Sequence, residues 1–184
     1  MHNDLELINK TLANNLSAYD ELMQRYERLV YTISFGFGKN KENALDITQN
    51  VFIKCYQKLS TFKAKSSFKS WLTKISYNEG VNWVRSNQKF SKHESIDEHL
   101  DLPSIALSNE DEYLAKENKS QLLRSLYNLN TRYRLAVVLR YFEEQSIKEI
   151  AETLQCSEGV VKNMLFRSLQ KLKENLKKNE ERES

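Results

Sequence analysis

Apolar residues recur at helical spacing along most of the chain, and strand-like alternation is scarce. A short first helix is expected over residues 4–13, broken by "NNLS". Ser17 stands where it can cap the next helix, with Asp20 and Glu21 early in it. That helix carries Leu22, Tyr26, Leu29, Val30 and Ile33 as a buried stripe. "GFGKN" ends it, with Gly36 and Gly38 available for a left-handed stop. A third helix over 41–59 places Ala44, Leu45, Ile47, Val51, Phe52, Cys55, Tyr56 and Leu59 at apolar positions. "STFKAKSSFKS" then has no clear period, and a fourth helix over 68–88 carries Trp71, Leu72, Ile75, Val81 and Val84.

The pattern fails over residues 91–112, an acidic stretch with weak periodicity that contains Pro103. It reads as a flexible linker. Ser108 with Asp111 can start the next helix, and helical signal resumes to Leu129, from Thr131 to Tyr141, and after Ser146. Ser146 and Glu149 in "SIKE" form a capping box. Ile147, Ile150, Ala151 and Leu154 then make one stripe, and a gap from Gln155 to Ser157 separates it from a last helix. Val161, Leu165, Leu169, Leu172 and Leu176 fall within about 80° on that helix, an ordinary core stripe. Phe166 falls about 140° from Val161, on the wet face with Asn163, Arg167 and Gln170. The expected fold is all-α, with two small helical domains joined by the linker.

Composition sharpens this. The 184 residues contain one proline and four glycines, so element breakers are few. No apolar run approaches the roughly 20 residues of a membrane span, and no signal peptide is apparent at the start. Cys55 and Cys156 form no ligand cluster and fit reduced thiols of a cytoplasmic protein. His2, His93 and His99 fall in the N-terminus and the linker, so no metal or other cofactor is expected. The net charge is only +3 but unevenly spread. Residues 1–90 carry thirteen Lys/Arg against eight Asp/Glu, 91–120 three against eight, and 121–184 twelve against nine. Two basic ends flanking an acidic middle suit a polyanion-binding protein better than the overall charge suggests.

The last two helices carry the clearest chemistry. Two short helices joined by a tight turn, the first with an inward alanine, suit a helix-turn-helix. The second helix is then free to enter a major groove. Lys162 can meet phosphate, Asn163 and Gln170 can pair with adenine edges, Arg167 with guanine, and Phe166 can touch a thymine methyl. Periodicity alone leaves a plain helical hairpin with a solvated face equally open; the outward ring favours the DNA reading.

Residues 126–172 resemble region 4 of bacterial sigma factors of the extracytoplasmic-function (ECF) group. The resemblance rests on Leu139 to Glu143, Ser146, Glu149 to Ala151, Val161, Lys162, Phe166 and Arg167. "NALDITQNVFIKCYQKL" is similar to sigma region 2.2, through Asp46, Gln49 and Phe52. "SFKSWLTKISYNEGVNWVRSNQK" is similar to regions 2.3 and 2.4, through Trp71, Leu72, Ile75, Asn78 and Arg85. The resemblance implies region 2 over 1–90, a linker over 91–112, region 4 over 113–178 and a tail over 179–184.

It further implies a promoter-specificity subunit without catalytic residues. Asp46, Gln49, Asn50 and Phe52 are then expected to grip core RNA polymerase. Lys63, Lys65, Ser66, Ser67 and Lys69, with Asn78, Asn82 and Arg85, are expected to hold the single-stranded −10 element. A basic loop with small hydroxyls can neutralise phosphates and bind an unstacked base. Ser157, Lys162, Asn163, Phe166, Arg167 and Gln170 are expected on the duplex −35 element. An anti-sigma factor is the further partner that the family implies.

Trp71 falls in the Leu72/Ile75 stripe and is expected in the core, while for Trp83 core and surface stay equally open. Asn130, Gln155, Val160 and Met164 depart from the family pattern, which suggests altered groove contacts. The alternative is a helix-turn-helix regulator that binds DNA without joining polymerase.

Overall fold

The computed structural model describes residues 3–38, 40–87 and 121–183, with side chains to residue 175. The expected linker and the helix start at Ser108 and Asp111 lie outside the described residues. All regular structure among the described residues is helical. It forms two compact units, one of α1–α4 and one of α5–α8. The elements are α1 (Asp4–Leu12), α2 (Leu16–Phe35), α3 (Lys41–Lys58), a 3-10 turn (Leu59–Thr61) and α4 (Phe68–Asn87). Helix α5 is described over 121–127. Then come α6 (Thr131–Val137), a π turn (Val138–Phe142), α7 (Ile147–Leu154) and α8 (Glu158–Glu183). The helical backbone of α8 therefore runs through most of the expected tail.

Two asparagines make the first corner. Asn14 takes the left-handed conformation, φ 66°, and Asn15 caps α2 by accepting from the Ala18 N–H at 3.1 Å. An asparagine side chain tolerates that backbone and also accepts like a turn carbonyl. Ser17, expected as the cap, instead lies inside the first turn of α2.

The glycines after α2 do different work from that expected. Gly36 is right-handed, φ −61°, and no described glycine has positive φ. Gly38 matters through space: a Cβ there would lie 2.8 Å from the Ala44 nitrogen. Gly80 matters more, because a Cβ on it would lie 2.2 Å from the Phe37 ring. The bare backbone of α4 at Gly80 is the seat for that ring.

The first core joins Leu7 and Ile8 of α1, Leu22, Leu29, Val30 and Ile33 of α2, Ala44, Ile47 and Val51 of α3, and Phe68 and Leu72 of α4. Buried hydroxyls return to their own helices: Thr48 donates to the Ala44 carbonyl at 2.7 Å and Ser76 to the Leu72 carbonyl at 2.9 Å. Such back-bonding satisfies the hydroxyl without a partner helix. Burial pushes the Cys55 thiol up to about 11. Leu45 and Tyr56, which stand among the apolar positions of α3, are 43% and 44% exposed.

The second core joins Leu123 and Leu126 of α5, Leu135 and Ala136 of α6, Ile150, Ala151 and Leu154 of α7, and Val161, Leu165 and Leu172 of α8. Arg134 is buried with its Nη1–H donating to the Tyr127 carbonyl at 2.9 Å and its guanidinium 4.9 Å from the Tyr127 ring centre. Leu169, expected in the α8 stripe, is 45% exposed, while Met164 is buried in its place. The core arc of α8 is centred on Val161 and Ser168, so Leu169 falls on its flank.

Candidate nucleic-acid and polymerase interfaces

The helix-turn-helix is built by three capping arrangements. The Ser146 hydroxyl accepts from the Glu149 N–H at 3.3 Å, while the Glu149 carboxylate accepts from the Ser146 N–H at 2.9 Å. At the other end of α7, the Arg132 guanidinium donates to the Leu154 carbonyl at 2.6 Å. Gln155 then turns left-handed at φ 52°, and the Cys156 N–H reaches back to the Ala151 carbonyl at 3.0 Å. The Ser157 hydroxyl accepts from the Val160 N–H at 3.4 Å, so this residue, expected at DNA, has its oxygen at the cap of α8.

Those constraints aim one face of α8 outward. Lys162, Asn163, Phe166, Arg167 and Gln170 are all exposed, Phe166 to 63%. They span about 12 Å of helix at 1.5 Å per residue, short enough to lie along a major groove. Ser168, on the opposite side, is buried and donates to the Tyr133 carbonyl at 3.4 Å, which ties α8 to α6.

Three of the four departures from the family pattern have a distinct structural setting. Asn130 caps α6, accepting from the Arg132 N–H at 3.1 Å. Met164 packs inward. Gln155 occupies the left-handed turn position that glycine fits without a Cβ penalty. Replacing Gln155 with glycine should therefore stabilise this unit by about 1 kcal/mol, the left-handed penalty outweighing glycine's entropy. Thermal unfolding checks it: a rise of a few degrees in Tm is expected, and an unchanged or lower Tm contradicts the reading. Val160 alone of the four combines an exposed side chain (42%) with a place beside the outward polar face of α8.

In the first unit, an aromatic cluster organises the lysine loop. Phe62 lies 5.5 Å from Phe68 and 5.4 Å from Trp71, and Phe68 lies 5.5 Å from Trp71. Tyr26 of α2 meets Phe68 edge-on at 5.3 Å. This packing leaves Lys63, Lys65, Ser66 and Ser67 exposed and Lys69 half-buried. The backbone bends through a left-handed Ala64, φ 54°. Ser67 caps α4, its hydroxyl accepting from the Ser70 N–H at 3.1 Å. A shallow pocket of about 430 Å³ opens between this loop, Arg25 and the start of α1.

Asn78, Asn82 and Arg85 are exposed along α4. They share a face with Trp71 and with exposed Lys74, a residue that sequence reasoning missed. Trp71 is half-buried at the junction of loop and helix face, not deep in the core. Trp83 is half-buried too, and its indole N–H donates to the Asp46 carboxylate at 3.0 Å. Asp46 is thus an exposed surface residue that also ties α3 to α4.

On α3, Gln49 and Asn50 are exposed and Phe52 is half-buried, its carbonyl accepting from the Tyr19 hydroxyl at 2.6 Å. Burial holds that hydroxyl well above the usual tyrosine range, so it stays a donor. Between the polar residues runs an apolar strip that sequence reasoning missed: Leu45, Ile53 at 57% exposure, and Tyr56. The available signal was that apolar residues occupy most of the α3 circumference, more than one core can cover.

Among the described residues no three His, Cys, Asp or Glu side chains gather as a metal site. No helix among them is long and apolar enough to cross a membrane.

Comparison with known proteins gives two family matches in order along the chain: Sigma-70 region 2 at residues 22–90 and Sigma-70, region 4 at residues 119–172. The RNA polymerase sigma factor YlaC of Bacillus subtilis (strain 168) is 31% identical over 165 residues, 89% of this chain and 95% of that protein. The ECF RNA polymerase sigma-E factor of Haemophilus influenzae (strain ATCC 51907 / DSM 11121 / KW20 / Rd) is 26% identical over 172 residues, 90% of each. Among solved structures, the sigma factor RpoE in complex with the anti-sigma factor NepR from Bartonella quintana shares the fold with a TM-score of 0.70 at 20% identity, over 86% of this chain and 96% of that one. CnrH in complex with the cytosolic domain of CnrY does so with a TM-score of 0.64 at 22% identity, over 93% and 95%. The exposed polar and aromatic face of α8 and the loop-and-helix face of α4 lie inside these matched regions, and the chain belongs to the sigma-70 family, in the extracytoplasmic-function group of sigma factors.

Proposed function

We propose that the protein joins core RNA polymerase in the cytoplasm and directs it to promoters through two DNA-reading units, with no active site of its own. One observation carries this reading most strongly. The polar and aromatic face of α8, exposed opposite a fully formed core, sits on the second helix of a well-capped helix-turn-helix. Lys162, Asn163, Phe166, Arg167 and Gln170 read the duplex −35 element, with Ser157 setting the start of the helix. Lys63, Lys65, Ser66, Ser67 and Lys69 hold the opened −10 strand together with Asn78, Asn82, Arg85 and the added Lys74. Region 2 over 1–90 and region 4 over 113–178, joined by 91–112, bind their two sites with intramolecular advantage once either is engaged.

The α3 face meets core polymerase. Gln49, Asn50, Phe52 and Asp46 form its polar part, and Leu45, Ile53 and Tyr56 supply the apolar area that a protein interface needs at its centre. An anti-sigma factor that covers such faces is a natural inhibitor. Two solved structures of the same fold hold RpoE in complex with the anti-sigma factor NepR and CnrH in complex with the cytosolic domain of CnrY, which supports this reading.

Ile53→Asp tests the α3 assignment without disturbing the Asp46–Trp83 bond. Affinity of the labelled protein for core, read by fluorescence anisotropy, should fall about tenfold or more, as for a central interface residue. Unchanged affinity removes this face from the polymerase interface.

A further inference from the structure

Helix α1 lies upstream of residues 22–90, the stretch matched to sigma-70 region 2, yet it reaches the lysine loop. Its anchor is Asp4. That carboxylate accepts from the Arg25 guanidinium at 2.6 Å and from the Tyr26 hydroxyl at 2.5 Å. Arg25 also donates to Glu21 at 3.3 Å. The Tyr26 ring in turn meets Phe68, and Phe68 meets Phe62 and Trp71. A continuous set of contacts therefore runs from the first turn of α1 to the head of the α4 face.

The pocket lies at the same junction, where Asn3, Asp4 and Leu5 face Arg25, Phe62 and Ser66. Its volume, about 430 Å³, falls in the range of small-ligand sites. The half-buried Phe62 ring and the Leu5 side chain, with a few converging polar groups, suit a flat ring with a polar edge, which an unstacked base presents. A carboxylate beside a phosphate-binding loop repels DNA unless its charge is compensated; Arg25 compensates it here. Burial, and next the hydrogen bond to Asp4, push the Tyr26 hydroxyl above the ordinary tyrosine value, so it remains protonated and keeps donating to Asp4.

We propose that Asp4 is a positioning residue for −10 recognition: by pinning the first turn of α1 to Arg25 and Tyr26, it makes α1 one wall of the pocket that takes an unstacked promoter base. This rests on the reading of the lysine loop as the single-strand site. Asp4 does not touch the base; it fixes Arg25, Asn3 and Leu5 around it. Loss of the carboxylate leaves α1 held by buried Leu7 and Ile8, so the helix stays packed while the pocket loses its shape.

Abasic scanning tests this in the assembled holoenzyme. A promoter recovered by start-site sequencing is prepared with an abasic site at each non-template −10 position in turn, and open-complex formation is measured. With the wild-type protein, one position is expected to cost about tenfold, the share of one stacked base. Asp4→Ala should bring the intact promoter down to that level and abolish the extra cost at that position alone. Asp4→Asn, which keeps an acceptor for Tyr26, should restore part of the sensitivity. An equal loss at all positions, or an unchanged abasic profile in Asp4→Ala, overturns the role of Asp4. If no abasic position matters even with the wild-type protein, the loop itself is not a base site, and the proposal falls together with that reading.

Discussion

Phe37→Ala should destabilise the α1–α4 unit by about 3–5 kcal/mol, the usual cost of deleting a buried aromatic ring. Phe37 is 4% exposed and packs on α4, with its ring 5.9 Å from that of Tyr77. Gly80→Ala should also destabilise, by about 1–3 kcal/mol, because the new methyl would lie only 2.2 Å from that ring. The double variant separates the packing account from any other. With the ring gone, the added methyl enters the void, and alanine is the better helix former by about 1 kcal/mol. Adding Gly80→Ala to Phe37→Ala should therefore raise stability, although it lowers stability in the wild-type background. Urea unfolding of all four proteins reads the sign. If Gly80→Ala lowers stability equally in both backgrounds, the glycine is not there for the Phe37 ring.

Arg167→Ala should cost about 1–3 kcal/mol of promoter discrimination, or roughly 5–150-fold, at a single −35 base pair. The side chain is exposed one position from Phe166 and off the buried arc of Val161, Leu165 and Ser168, so the core does not depend on it. Paired with a guanine edge, its loss relaxes specificity at that position only. Competition between −35 variants, measured with holoenzyme, shows which it is. An equal loss on every −35 sequence makes Arg167 a phosphate contact.

Much of the architecture was legible because it is local. The capping box at Ser146, the helix spacing and the outward Phe166 all depend on residues within about two turns of one another. Spacing alone puts Phe166 on the wet side of α8, and its ring is 63% exposed there. The features that escaped are contacts between distant segments or choices between two apolar faces. Asp46 and Trp83 are 37 positions apart and Asp4 and Tyr26 are 22 apart, so no local pattern announces either bond. On α3, Leu45 and Ile47 are both apolar, and only the arrangement of α1, α2 and α4 decides that Ile47 is buried and Leu45 exposed. On α8 the same ambiguity exchanged Leu169 and Met164. For the candidate sites, residue identity and spacing marked an outward α8 face, and its five residues are exposed. The lysine loop was found by composition, but its aromatic support from Tyr26, Phe62, Phe68 and Trp71 required the fold.

The sharpest measurement is transcription from a randomised promoter library by core RNA polymerase with and without this protein, followed by sequencing of the 5′ ends. The expected result is a set of start sites that core alone ignores, sharing upstream motifs at two separated positions. The outer motif should shift when Arg167 is replaced, and the inner one should weaken when Lys63 and Lys65 are replaced. Duplex DNA should be bound tightly only when core is present. Sequence-specific DNA binding that needs no core, with no new start sites, would contradict the account and leave a helix-turn-helix regulator in its place.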